Sequence, residues 1–367
     1  MLIQCLADEI GAQGHNERWW VRWSTVDDTE VNVTILESAT AIGAVCLDGS
    51  PPSYAMDQGS GSGSSSWVIF IEGGAWCSVI ADCATRAGTF QGSSLYRDKF
   101  RFTGILDVNS AVNPDFYNWN RVALLYCDGS SFFGDVEYVD PQNKLYFRGS
   151  RIFKAIIQEL VAKGMNFADN IILSGGSAGG LATILNCDTL RLLVPDARKI
   201  KCVSDSGFFL QAPNLPGATQ RETYFEHIVQ LHGLEDFLPQ SCRSSMNPGL
   251  CLFPENIVED IQTPLFLIES SFDAFQVQSQ YTPYVGGGGR EWYNCVTVSL
   301  SLCNSTQLEK MQEFHTTFIQ TLQNSVHSHS RGMFVHNCYR HDHILANDGW
   351  KFSDILENKT IADAMRE

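Results

Sequence analysis

The chain has 367 residues, 44% of them apolar and 11% aromatic, enough for a well-buried core and too apolar for a disordered polymer. Its 41 acidic and 25 basic residues leave a net charge of −16, which argues against nucleic acid and anionic membrane surfaces as partners. No apolar run approaches the roughly 18 residues of a membrane-spanning helix.

The opening "MLIQCLADEIGAQ" lacks the positive n-region and long apolar stretch of a secretory signal, so residues 1–20 are expected to be a poorly ordered or truncated start. "QGSGSGSSSW" (58–67) has linker composition, but a domain ending there would be marginal for a core of its own. It is expected to be a surface loop, and residues 1–367 a single domain. Six short runs rich in Val, Ile, Leu and Phe then predict buried strands: "WVIFI" (67–71), "RVALLYC" (121–127), "NIILS" (170–174), "KCVSDS" (201–206), "PLFLIES" (264–270) and "GMFVHNC" (332–338). Between them, "RGSRIFKAIIQELVAKG" (148–164) places Ile152, Ile156, Leu160 and Val161 at helical spacing. A second helix is predicted from near Gly179, and a third over "STQLEKMQEFHTTFIQTLQNS". "GGGG" (286–289) lacks the strand-before, helix-after context of a phosphate loop and is expected to be an ordinary loop. Strands alternating with helices predict an α/β fold, a mostly parallel sheet with helices on both faces.

The twelve cysteines suit a disulfide framework in a secreted protein; buried thiols in a cytosolic one are the alternative. Sequons at Asn32, Asn304 and Asn358 point to the same compartment. Cys77 and Cys83 flank "SVIAD" and are expected to bond to each other.

"IILSGGSAGGLATIL" (171–185) carries a G-x-S-x-G pentapeptide between a strand and a helix, the context of a nucleophile elbow. A serine hydroxyl needs a base held by an acid, and in such folds acid and base follow the serine in that order, each after a later strand. Asp273 follows "PLFLIES" and His341 follows "GMFVHNC", which makes Ser177, Asp273 and His341 the candidate triad. Asp205, at the end of another strand, competes with Asp273, and His343 competes with His341. "IEGGAWC" follows the first buried strand, where esterases place an amide-donating loop. Gly74, Ala75 and Ala178 are the candidate oxyanion donors. Trp76, Phe132 and Phe208, with Phe133 and Phe209, are candidates to line a pocket; core packing is the alternative for the phenylalanines. His327, His329, His336, Cys338, His341 and His343 lie at spacings irregular for zinc, so neither metal nor cofactor is expected.

These segments resemble the pectin acetylesterase family, whose animal relative is Notum. The resemblance rests on "GSGSSSWVIFIEGGAWC", on "LYFRGSRIFKAIIQELVAKGM" followed by "LSGGSAGGLAT", and on "DSGFF" and "GMFVHNCYRH". It spans residues 40 to 345 and is strongest with the plant branch. It implies an α/β-hydrolase fold, a secreted esterase of the cell wall, Ser177, Asp273 and His341 in their triad roles, and acetylated pectin as substrate; a monomer is expected. A fatty-acyl group on a protein and acetyl groups on xylan are the alternatives. The plant pattern has Cys before the nucleophile and after the histidine, where this chain has Gly176 and Asp342, and the third glycine of its EGGG is here Ala75. Polygalacturonate is a polyanion, so a chain of charge −16 needs a local basic groove; Arg86, Arg97, Arg101 and Arg148 are candidates.

Overall fold

A computed structural model describes residues 29–286, 289–353 and 355–366; the expected irregular start at residues 1–20 lies outside them. The centre is a nine-stranded sheet. Its strands are β1 (Glu30–Ile35), β2 (Ser53–Asp57), β3 (Ser66–Ile71), β4 (Lys99–Arg101), β5 (Asn120–Leu124), β6 (Asn170–Gly176), β7 (Ile200–Asp205), β8 (Leu265–Ser270) and β9 (Arg331–His336). Their order is β4-β1-β2-β5-β3-β6-β7-β8-β9. From β5 to β9 every neighbouring pair is parallel, whereas β4, β1 and β2 form an antiparallel margin.

The six predicted strands are the parallel ones, and every residue of β3 is buried, as expected for a strand covered on two faces. Alternation assigns its side chains. Ile69 and Ile71 join the core that holds Ile156, Leu160, Leu181 and Ile184. Val68 and Phe70 join a second core with Phe102, Trp350 and Ile361. Each such fully buried aliphatic side chain contributes about 1.5–3 kcal/mol relative to an exposed one.

The longer helices are α1 (Ile80–Ala87), α2 (Gly149–Ala162), α3 (Ala178–Leu193), α4 (Ala218–His232) and α5 (Ser305–Ser325). Residues from α2 to α5 feed the first core, while the short C-terminal helices Asn347–Trp350 and Ile361–Arg366 supply Trp350 and Ile361 to the second. α5 opens on a capping box, with Asn304 Oδ1 accepting from Gln307 N–H at 2.9 Å and Gln307 Oε1 accepting from Asn304 N–H at 2.9 Å. Gly61–Gly63 forms a single tight turn in the largely exposed loop between β2 and β3, where the sequence has its Gly/Ser run.

Disulfides join Cys46–Cys127, Cys77–Cys83, Cys187–Cys202, Cys242–Cys251 and Cys295–Cys303. No described cysteine is free. Among the described residues, no helix is long and apolar enough to cross a membrane.

Candidate active site

The C-terminal ends of β3, β6, β8 and β9 meet at one edge of the sheet, where open parallel sheets place their ligand sites. Ser177 stands between β6 and α3 with φ 56° and ψ −124°, a backbone conformation that L-residues adopt only under constraint from their surroundings. The surrounding glycines allow it by letting the chain close in. A Cβ on Gly179 would lie 2.1 Å from the Ile71 carbonyl oxygen, and one on Gly175 would lie 2.2 Å from the Gly179 carbonyl oxygen. β6, β3 and the start of α3 are thus in backbone contact around the serine.

His341 Nε2 lies 2.8 Å from Ser177 Oγ, and His341 Nδ1 lies 2.7 Å from Asp273 Oδ2. Asp273 is fully buried, and its Oδ1 accepts from Gln276 N–H at 2.8 Å. The Phe275 ring stacks on His341 with centroids 5.2 Å apart. Burial pushes the imidazole toward the neutral form. The charge and hydrogen bond of Asp273, followed by the charges of Asp342 and Asp205, push the other way and prevail, so the ring holds a proton more tightly than an ordinary histidine.

Asp205 and His343 form a second acid–imidazole pair, with Oδ1 to Nδ1 at 2.6 Å. Asp205 Oδ2 also accepts from the N–H groups of His343 and Ile344, at 2.7 and 2.8 Å. Burial alone would raise its pKa. The His343 charge and hydrogen bond and these two amides overcome that, and the carboxyl stays below its usual range. His343 Nε2 meets His336 Nε2 at 2.8 Å. The competing pair is therefore a buried strut that ties the end of β7 to the loop carrying His341; the Asp205 backbone carbonyl accepts from Ser177 N–H at 2.8 Å, while the hydroxyl of Ser177 is held by His341.

The loop after β3 lies against the elbow: a Cβ on Gly73 would come within 2.3 Å of the Gly176 carbonyl oxygen and 3.3 Å of Ala178 N. Gly74 and Ala75 both have positive φ, 143° and 54°. Arg86 Nη2 donates to the Gly74 carbonyl at 2.8 Å, and Tyr126 Oη to the Ala75 carbonyl at 2.8 Å. In a trans peptide the N–H points opposite its carbonyl. The hold of Arg86 on the Gly74 carbonyl therefore turns the Ala75 N–H the other way. Ala178 N–H, at the first turn of α3, has no intrahelical acceptor. Ser131 Oγ accepts from Trp76 Nε1 at 2.7 Å and donates to the Ala178 carbonyl at 2.7 Å, which clamps the loop to the elbow. The Cys77–Cys83 bridge closes the turn into α1, the helix that carries Arg86.

The other expected positions fall variously. Trp76 is buried beside the loop and packs edge-on against Phe209 at 4.8 Å. Phe132 and Phe208 are fully buried, against Tyr126 and Phe318, and offer no surface to a ligand. Asn32, Asn304 and Asn358 are exposed. Arg97 pairs with Glu72 at 2.6 Å and the buried Arg148 with Glu137 at 3.2 Å, so neither offers an unneutralised cation to a groove. Gly176 and Asp342 face each other: a Cβ on Gly176 would lie 2.9 Å from Asp342 Oδ1. Burial, countered by the His341 charge and reinforced by Asp205 and Asp273, pushes the Asp342 carboxyl up to about 6. Among the described residues, Cys77, Cys83 and His232 are the group with metal-ligand proximity, and the two sulfurs are bonded to each other.

Sequence reasoning missed Arg86 as the restraint on the loop, Tyr126, Ser131, Phe275 and Glu269. Glu269 Oε1 accepts from Gly207 and Phe208 N–H at 3.1 and 3.0 Å. Burial, with Asp273 and Asp205 nearby, keeps its carboxyl protonated far above the usual range. Its position in "FLIES" is a visible signal, because a glutamate inside a buried strand needs a structural partner.

The fold and the relatives define an α/β hydrolase acting on carboxylic esters. A profile of the pectinacetylesterase family matches residues 24–367, and the chain belongs to that family. It is 46% identical to pectin acetylesterase 7 of Arabidopsis thaliana over 85% of this chain and 80% of that protein. The palmitoleoyl-protein carboxylesterase NOTUM of Schmidtea mediterranea is 26% identical over 84% of this chain and 58% of its own. The structure of the Wnt deacylase Notum from Drosophila superposes with a TM-score of 0.76 over 92% of both chains at 23% identity, a likeness of fold.

Proposed function

We propose that the chain is an extracellular serine esterase that removes acetyl groups from pectin, acting as a monomeric single domain without metal or cofactor. The observation that carries the reading is the hydrogen-bonded chain Ser177–His341–Asp273 on the strained elbow of a pectinacetylesterase fold. Ser177 Oγ attacks the acetyl carbonyl while His341 Nε2 takes its proton. Asp273 holds the imidazole by Nδ1 and stabilises the charge that forms. The N–H groups of Gly74, Ala75 and Ala178 receive the oxyanion, in a hole set before the reaction begins. The carbon–oxygen bond to the sugar then breaks, and the sugar oxygen leaves with the proton from His341. Water, deprotonated by the same ring, attacks the acetyl-serine and releases acetate.

The disulfides between described residues support an extracellular setting, and the exposed sequons Asn32, Asn304 and Asn358 are proposed to carry glycans. A small acyl group is favoured by the aromatic packing beside the oxyanion loop. Trp76 packs on Phe209 and Phe225, and Phe225 on Phe253, all buried. The test is acyl release from acetylated pectin, acetylated xylan and a palmitoleoyl ester by one enzyme preparation. Pectin is expected to be the best substrate and the palmitoleoyl ester the worst; the reverse order would overturn the reading.

A further inference from the structure

A cavity of about 590 Å³ opens between α4 and residues 275–284, beside the triad. Two of its walls are shared with the site. Phe275 stacks on His341, and Tyr224 donates its hydroxyl to the Trp76 carbonyl at 3.1 Å. In a chain of charge −16, none of the residues lining this cavity is acidic. Two are basic, His227 and Arg221, and the buried guanidinium of Arg221 spends its hydrogen bonds on the backbone carbonyls of Gln211, Ala212, Leu215, Pro216 and Gln280. Gln280 also lines the cavity; it is 9% exposed, and its Oε1 has no hydrogen-bond partner. A buried acceptor left without a donor costs about 1–3 kcal/mol unless something donates to it.

We propose that this cavity is a sugar subsite that seats a pyranose residue of the polysaccharide, next to the residue whose acetyl ester Ser177 attacks. The inference rests on the polysaccharide reading above and adds where the chain runs. A pyranose has an apolar C–H face for the ring of Tyr284, which is 43% exposed. Its hydroxyls are hydrogen-bonding partners for the amide side chain of Gln280, which lines the cavity. A uronate carboxylate there meets no acidic residue in the lining, which eases the conflict between an acidic enzyme and an anionic polymer. A fatty chain would supply no donor, and Gln280 would remain unsatisfied.

The test compares kcat/KM on acetylated pectin with kcat/KM on an aryl acetate for the wild type, Tyr284→Ala, Tyr284→Phe and Gln280→Leu, each checked by thermal unfolding. Tyr284→Ala and Gln280→Leu are expected to lower the pectin-to-aryl ratio at least about fivefold, through KM on pectin rather than kcat, because uniform binding has been removed. Tyr284→Phe, which keeps the ring, is expected to keep the ratio. A ratio unchanged in both Tyr284→Ala and Gln280→Leu would overturn the subsite while leaving the esterase assignment standing. A wild type that cleaves the aryl acetate and releases nothing from pectin would overturn the polysaccharide reading, and the subsite with it.

Discussion

Replacing Arg86 with alanine is expected to slow turnover with little change in KM. Arg86 touches no substrate in this account; it is a positioning residue. Its Nη2 holds the Gly74 carbonyl at 2.8 Å, its Nε donates to the Gln91 carbonyl at 3.2 Å, and its guanidinium lies 4.9 Å from the centre of the Tyr126 ring. Tyr126 in turn holds the Ala75 carbonyl. Without Arg86 the peptide carrying the Ala75 N–H loses its fixed direction. A hydrogen bond from a charged donor contributes about 1.5–3 kcal/mol. If that stabilisation acts only in the transition state, its loss slows kcat by about 10- to 100-fold. Complete removal of an oxyanion donor costs about 10²–10³, and here the donor remains but must be ordered at each turnover. The assay is steady-state hydrolysis of an aryl acetate, with thermal unfolding to confirm the fold. Arg86→Lys is expected to recover little, because a single ammonium cannot reach the Gly74 and Gln91 carbonyls together. A kcat within about twofold of wild type in Arg86→Ala would refute the argument.

Asp273→Asn is expected to lower kcat by about 10⁴ through loss of imidazolium stabilisation. Asp205→Asn should instead cost about 3–5 kcal/mol of stability by breaking a buried pair; kinetics and thermal unfolding on both variants separate the two. Asp342→Asn is expected to move the acid limb of kcat/KM to lower pH. Removing a carboxylate that raises the proton affinity of His341 leaves the ring neutral, and able to act as a base, further into acid; a limb displaced upward would contradict this. A Cys77→Ser, Cys83→Ser double variant should lose about 2 kcal/mol, the chain-entropy value for so short a loop. It should also lose kcat at temperatures where it remains folded; a drop in melting temperature with kcat intact would show that the bridge does not restrain the oxyanion loop.

The parallel half of the sheet was legible because burial on two faces writes a continuous apolar run, as in "WVIFI". The antiparallel margin was not. β1 has the alternating exposure of a half-buried strand over six residues, and β4 has three residues, too short for any period to register. α4 carried a usable signal in Phe225, Ile228, Val229 and His232, at the spacing of one helix face, but its other positions are polar enough to read as a loop. Order along the chain narrowed the acid to Asp205 or Asp273 and the base to His341 or His343. The four residues form two acid–imidazole pairs whose histidines stand on one short loop, and only the three-dimensional placement of the strands assigns one pair to the serine. Arg86 was out of reach for a different reason. Its basic charge suggests a groove residue, whereas its contact is with a backbone carbonyl, which no sequence pattern marks.

In the proposed reaction Ser177 carries the acetyl group between sugar and water. The direct measurement is acid quenching of the enzyme during turnover on acetylated pectin, followed by peptide mapping by mass spectrometry. Acetyl is expected on the peptide containing Ser177, with more of it in Asp273→Asn if deacylation is slowed most, and none in Ser177→Ala, which should also release no acetate above background. Acetate release by Ser177→Ala at the wild-type rate, or acetyl carried on a different residue, would contradict it.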